Sequence, residues 1–140
     1  MGSVKKELNC VLVESRTANK KTEERILDKL VADGSLTSCS IVSRTGLMVA
    51  GDSVSPQKKE TFAAMTAIVF SAAEAVKDDV KDGKVDSIVA SFESSKLLLY
   101  PVSSNYILVG VASDTHSTEK ALKALEEGAV KLRKEAPWLN

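Results

Sequence analysis

The feature that most constrains the fold is a long stretch without charge in the middle of the chain. Between Thr61 and Ala73 there is no Asp, Glu, Lys or Arg, although these residues make up 27% of the sequence. Pro56 suits the first turn of a helix, and the pattern predicts one long helix over residues 56–82. A helix on the surface of a monomer carries charges on its outer side. We therefore expect this helix to be buried on two sides.

A helical wheel, drawn at about 100° per residue, gives the predicted helix two apolar sides. The side with larger residues is expected to pack on a sheet, and it carries Phe62, Met65, Val69, Val76 and Val80, with Ile68 at its edge. The opposite side carries the small residues Ala63, Ala64, Ala67, Ser71 and Ala75. Small residues let a second helix approach closely, and a twofold-related copy of the chain is the simplest partner. The alternative is that alanine only supplies helix propensity on a solvated side.

Periodicity and turn residues predict the other elements. A first helix runs from about Thr22, as N-cap, to Ala32, with Gly34 as its stop. Residues 37–43 and 47–50 predict a hairpin through a turn in which Gly46 supplies a positive φ. Three further strands are expected at residues 85–92, 96–101 and 106–112, and the nearly continuous apolar run of the last is typical of a central strand. A last helix is expected over residues 117–135, where Gly128 would allow close approach to the sheet.

The resulting order of elements is α-β-β-α-β-β-β-α, and tight turns between consecutive strands imply an antiparallel sheet. We expect an α/β fold of the α+β sandwich type, with a five-stranded antiparallel sheet between the long central helix and the terminal helices. The 140 residues fit one domain. We divide them into an N-terminal extension, residues 1–18, and a domain over residues 19–140. Periodicity cannot assign the short apolar run at residues 10–13 to a strand or a helix.

Charge and cysteine content narrow the class of protein. Lys and Arg together number 19, as do Asp and Glu, so the chain lacks the basic excess of a nucleic-acid binder. The two cysteines, Cys10 and Cys39, are too few for a disulfide framework, which predicts a reduced, cytoplasmic protein. We also expect no transmembrane segment and no secretory signal, because no apolar run has the required length.

The sequence offers no constellation of catalytic or metal-binding residues. His116 is the only histidine, and its neighbours Asp114 and Ser117 are helix-capping residues more often than members of a catalytic triad. The ligand spacing of a zinc site and the glycine pattern of a P-loop are missing. We therefore predict no catalytic residue, no cofactor and no metal, and a protein that acts through its surface. Arg44, at the tip of the first hairpin, is our candidate for a partner contact, although such turn residues are more often simply solvated.

Several segments together resemble the roadblock family of small dimeric proteins. Residues 38–50 resemble the first hairpin of that family, in which a Gly-Leu pair, here Gly46 and Leu47, opens the second strand. The alanine-rich residues 62–67 resemble the long central helix. Residues 97–102 and 106–111 resemble the last two strands, and the likeness covers roughly residues 22–134 in the right order.

The resemblance implies dimerisation through the long helix and the strand that follows it, which agrees with the uncharged helix side. Members of the family are not enzymes and act as dynein light chains, as scaffolds, or as regulators of Ras-like GTPases, including bacterial polarity regulators that stimulate hydrolysis. We therefore expect a homodimer that binds a small Ras-like GTPase. The expected dimer interface consists of Ala63, Ala64, Ala67, Phe70, Ser71, Val85, Ser87, Val89 and Ser91.

The alternative function belongs to another class, a small-ligand sensor with a profilin-like or PAS-like sheet. Such a sensor needs a hollow between the sheet and the helix. We expect that layer to be filled by the side chains of Phe62, Met65, Phe70 and Phe92.

Overall fold

The computed structural model describes residues 21–51, 56–81 and 83–140. Helix α1 (Thr22–Ala32) is followed by strands β1 (Ser38–Ser43) and β2 (Met48–Gly51), by a short 3-10 turn (Pro56–Lys58) and by helix α2 (Lys59–Val76). Strands β3 (Ile88–Ser91), β4 (Ser95–Pro101) and β5 (Tyr106–Ser113) precede helix α3 (Thr118–Glu135) and a last 3-10 turn (Pro137–Leu139). This is the predicted order. The predicted N-terminal extension and the apolar run at 10–13 lie outside the described residues and stay predictions.

The five strands form one antiparallel sheet in the order β2-β1-β5-β4-β3. The α+β fold with a five-stranded antiparallel sheet is therefore confirmed. Strand β5 lies in the middle, between β1 and β4, and Ile107, Leu108 and Val109 are at most 1% exposed. The apolar run of this strand is explained by its burial on both faces. Strands β2 and β3 form the two edges, and the register of β1 against β2 shifts between Ile41 and Val42.

Helices α1 and α3 cover one face of the sheet. The contacting residues include Ile26, Leu27 and Leu30 of α1, Leu125, Ala129 and Leu132 of α3, and Cys39, Ile41, Leu98 and Leu108 of the sheet. A Cβ atom built on Gly128 would lie 2.7 Å from Leu30 Cδ1 but 3.5 Å from Leu108 Cδ2. Gly128 thus permits close approach mainly to α1, and it also lies in van der Waals range of the sheet at Leu108.

The ends of these two helices follow from local residues. Lys21, not Thr22, is the N-cap of α1, and it supplies no side-chain hydrogen bond. Gly34 follows the helix with a φ of 84°, in the left-handed region, as predicted for a helix stop. At the start of α3, Ser117 Oγ accepts a hydrogen bond from the Lys120 backbone N–H, so Ser117 is the N-cap among the three candidates of the sequence, Asp114, Thr115 and Ser117.

Helix α2 covers the other face of the sheet, and it does so with the side opposite to the one predicted. Ala63, Ala67 and Phe70 pack against apolar residues of β1, β4 and β5, and each is at most 5% exposed. The residues predicted to face the sheet are instead exposed, with the exception of the half-buried Phe62: these are Met65, Ile68, Val69, Val76 and Val80. The assignment of the two sides was therefore wrong.

Close packing explains why the small side faces the sheet. Alanines let the backbone of α2 approach the first hairpin, where a Cβ atom on Gly46 would lie 3.2 Å from the Cα of Ala64. Phe70 then fills the remaining space on the same side. The predicted dimer residues Ala63, Ala67 and Phe70 are consequently core residues within one chain.

Helix α2 also ends earlier than predicted, at Val76 rather than near residue 82. Residues 77–81 form turns, and Lys81 has a φ of 56°. Among the helices of the described ranges, none combines the length and the apolar character needed to cross a membrane.

Candidate functional site

The outer side of α2 carries an exposed apolar stripe. Met65, Ile68, Val69 and Val76 recur at helical spacing, and they are between 39% and 57% exposed. Val80, one turn beyond the helix, is 65% exposed. Isolated apolar residues are common on protein surfaces, but a contiguous row of large ones marks an interaction site. The charge-free stretch of the sequence therefore has two parts: one side of the helix packs on the sheet, and the other side forms this exposed apolar stripe.

An apolar groove lies beside the stripe, between α2 and the neighbouring end of the sheet. It has a volume of about 640 Å³, and most of its apolar wall comes from Phe62, Met65, Val69, Phe92, Leu97 and Val111. Helix α2 lies mainly over β1 and β2, and the part of this face near β3 is less covered. Phe92, at the end of β3, is 61% exposed on this open side. The prediction that Met65 and Phe92 fill the layer was wrong, because a hollow remains there.

Strand β3 borders the same open side and forms an edge of the sheet. It pairs only with β4 in the described part of the chain, so its other edge offers free backbone N–H and C=O groups. Val89 and Ser91, two of the residues predicted for the dimer interface, are exposed on this strand. Val85 and Ser87 lie just before it and are half-buried. Of the predicted helix residues, Ala64 is half-buried and Ser71 is exposed.

Arg44 does not extend freely from the hairpin tip. Its guanidinium lies 4.2 Å from the ring centroid of Phe70, forms an ion pair with the Glu74 carboxylate, and donates a 3.2 Å hydrogen bond from Nη2 to the Ser103 carbonyl oxygen. The Arg44 side chain is 22% exposed. The guanidinium thus joins the hairpin to α2 and to the β4–β5 turn, and its predicted contact with a partner stays a prediction.

The residues that could suggest catalysis have structural roles. Burial raises the pKa of the Cys39 thiol to about 12, so the thiol is neutral and a poor nucleophile near pH 7. Nδ1 of His116 accepts a hydrogen bond from the backbone N–H of Ser113, at 3.0 Å, within the turn that precedes α3. No group of three His, Cys, Asp or Glu residues with metal-binding geometry occurs in the ranges that the structure describes.

Sequence reasoning therefore missed the residues that define this surface. Met65, Ile68 and Val69 were assigned to the core because they are large, and Phe92 was assigned there for the same reason. The spacing of the helix indicated that one apolar side stays off the sheet, since both sides are apolar and only one can face it, but it did not indicate which side. No sequence signal indicates Glu74 as the partner of Arg44.

Three solved structures show how the fold compares with known proteins. A Roadblock/LC7 domain from Streptomyces avermitilis is 18% identical, with 79% of this chain and 94% of that chain covered and a TM-score of 0.73. MglB from Myxococcus xanthus is 15% identical, with 84% and 90% covered and a TM-score of 0.76. Profilin II from Acanthamoeba castellanii is 22% identical, with 82% and 99% covered and a TM-score of 0.59. At these identities the likeness concerns the fold alone.

Sequence comparison gives one negative result and one family match. A search among curated proteins found no significant match. The model of the Roadblock/LC7 domain matches residues 22–112, which extend from the first residue of α1 to the penultimate residue of β5. The chain therefore belongs to the Roadblock/LC7 family.

Proposed function

We propose that this protein is a homodimer without enzymatic activity of its own, and that it binds a small Ras-like GTPase as a regulator or scaffold in the cytoplasm. The observation that carries the proposal is that the exposed stripe of α2 lies beside the unpaired edge of β3. An apolar stripe is unfavourable in water, a free strand edge is a template for pairing with another strand, and a single association can cover both. The family resemblance supplies the GTPase as the partner class.

A twofold arrangement suits these two features. Pairing of β3 with β3 of a second copy is antiparallel by symmetry, and it would extend the sheet across the dimer. The same operation would bring the α2 stripe of one copy to that of the other. The interface proposed here keeps Val85, Ser87, Val89 and Ser91 from the sequence-based set and adds Met65, Ile68 and Val69 of the outward side.

Size-exclusion chromatography with light scattering tests the dimer. We expect a mass of twice 15.0 kDa for the wild-type chain. Ile68→Asp should reduce it to the monomer mass, because a charge would be buried in the apolar contact. Val130→Asp is the matched control, since Val130 is 52% exposed on α3 and Ile68 is 57% exposed on α2. A wild-type mass of 15.0 kDa at micromolar concentration would refute the dimer.

The GTPase is tested separately. Each small Ras-like GTPase of the source organism is loaded with GDP or with a non-hydrolysable GTP analogue and tested for co-elution with the protein. Its hydrolysis of GTP is measured separately, with and without the protein. We expect one of them to co-elute or to change its hydrolysis rate. If none does either, the proposed partner class is wrong even when the dimer is present.

The apolar groove of about 640 Å³ supports one alternative function, a sensor for a small apolar ligand. We favour association because the groove continues into the exposed stripe and the free strand edge. Native mass spectrometry of the purified protein distinguishes the two functions. A bound small molecule that stays with a monomer would favour the sensor, whereas a ligand-free dimer would favour association.

A further inference from the structure

A second cavity lies at the opposite end of α2, and Val85 is its one lining residue that also belongs to the proposed dimer interface. It has a volume of about 400 Å³ and opens between the C-terminal end of α2, the tip of the first hairpin and the β4–β5 turn. Cavities of this size accommodate small organic ligands. Segments far apart in the sequence meet here, because the wall includes Arg44, Lys77, Lys84 and Ser103.

The charges of the wall are unbalanced. Among the described residues, Arg44, Lys77 and Lys84 line the cavity with a single carboxylate, that of Glu74, and leave two net positive charges. The Glu74 carboxylate is bound to Arg44. Within the described ranges, the one ion pair at this cavity is Arg44–Glu74. The acidic neighbours Asp78, Asp79 and Asp86 are outside the wall, although Asp86 lines an adjoining cavity together with Lys84. Two uncompensated ammonium groups on one cavity attract an anion.

Apart from Ser103 and Ser104, the rest of the wall is apolar. Phe70 is 1% exposed and is held beneath the Arg44 guanidinium, and Val85 and Pro101 add further apolar surface. An inorganic ion would leave this surface in water, whereas an organic group would cover it. A ligand that fits the cavity therefore combines a charged and an apolar part.

We propose that this cavity, which we name the basic cavity, binds a small organic phosphate. A phosphate monoester carries a charge of about −1.5 to −2 near pH 7, which matches the two net positive charges of the wall better than one carboxylate does. Lys binds phosphate as a point charge, and Arg adds directed N–H donors. The basic cavity lies apart from the apolar groove, and its binding requires neither a second copy nor a GTPase.

Titration of the isotope-labelled 140-residue chain with phenyl phosphate tests the inference by NMR. We expect saturable shifts of the backbone amides of Lys77, Val85 and Ser104, which line the cavity. Inorganic phosphate should bind more weakly because it leaves the apolar wall uncovered, and phenol should not bind because it has no charge at neutral pH. Shifts spread evenly over all surface lysines, or equal binding of phenol, would refute the inference.

Variants provide the second measurement. The double variant Lys77→Ala, Lys84→Ala should weaken binding of phenyl phosphate by about tenfold or more, since two charge-assisted contacts are lost. Lys123→Ala is the control, because Lys123 is exposed on α3 and lies outside the basic cavity. Unchanged binding by the double variant, or the same loss in the control, would refute the inference. The wild-type titration decides the matter alone if the double variant does not fold.

Discussion

Arg44 joins three segments that are far apart in the sequence. Its contacts reach Phe70 and Glu74 in α2 and the carbonyl of Ser103 in the β4–β5 turn. The sequence placed Arg44 correctly at a hairpin tip, but a pair separated by 30 positions leaves no local pattern from which to find Glu74. Side-chain partners of this kind depend on how the elements pack, and that is the part of the site that one sequence cannot predict.

Replacing Arg44 tests the importance of these contacts for stability. Arg44→Met should lower the free energy of unfolding by about 1–2 kcal/mol, because it removes a partly exposed ion pair and a cation–π contact. Arg44→Lys should recover a part of this loss, since it retains the charge without the planar group. Urea denaturation measures both, with Lys123→Met as the exposed control. A loss no larger than that of the control would show that the cluster does not stabilise the fold.

The buried thiol of Cys39 predicts a dependence of stability on pH. Its pKa is about 12 in the folded chain and 9.0 when the chain is unfolded, so above pH 9.0 only the unfolded state loses the proton. The contribution is fully present below pH 9.0 and is lost as the pH rises toward 12. Between pH 7 and pH 10, the wild type should lose about 1.4 kcal/mol relative to Cys39→Ala. An equal pH dependence of the two proteins would contradict the assignment.

At the scale of elements, the side of a helix that faces the sheet could be predicted only where one side is apolar and the other is charged. Helices α1 and α3 have one apolar and one charged side, so the apolar stripe with Ile26, Leu27 and Leu30 is the side that faces the sheet. Helix α2 is apolar on both sides, and its wheel separated the sides without indicating which one meets the sheet. Strands were located well because their turns contain residues with special backbone angles, such as Gly46 with a φ of 96°.

Two glycines with similar positive φ differ in how crowded they are. Substituting each therefore distinguishes the loss of stability due to the φ from the loss due to crowding. Gly34 and Gly51 have φ values of 84° and 81°, but only Gly51 is crowded: a Cβ atom there would lie 2.4 Å from the Cys39 carbonyl oxygen. Gly34→Ala should lower the free energy of unfolding by about 1–2 kcal/mol. Gly51→Ala should cost at least about 3 kcal/mol, because β2 must also move away from β1. Equal losses in thermal or urea denaturation would contradict this difference.

At the scale of the whole molecule, association and stability are expected to be linked. If α2 and β3 are covered by a second copy, dilution removes a stabilising contact, so the melting temperature of the wild type should rise with protein concentration. Ile68→Asp should melt at a lower temperature that is independent of concentration. Differential scanning calorimetry over a wide range of concentration measures both. A wild-type melting temperature that does not change with concentration would argue against an obligate dimer.

For the whole molecule, the sequence predicted the order of helices and strands but not which of their faces are exposed. The succession of elements and the central position of β5 were predicted from apolar runs and turns. The faces of α2 were not, because Ala63 and Met65 are both apolar and differ only in size. The identity of a partner depends on surface shape and charge, which the order of elements does not determine.

The strand order has a consequence for the synthesis of the chain. Ser38–Ser43 and Tyr106–Ser113 are neighbours in the middle of the sheet, although more than 60 residues separate them in the sequence. A nascent polypeptide can close its first hairpin early, but that hairpin has nothing to join until the last strand has left the ribosome. Contacts of such long range slow folding. A truncated product that stops before Tyr106 would therefore retain two unconnected halves of a sheet and should be degraded rather than accumulate.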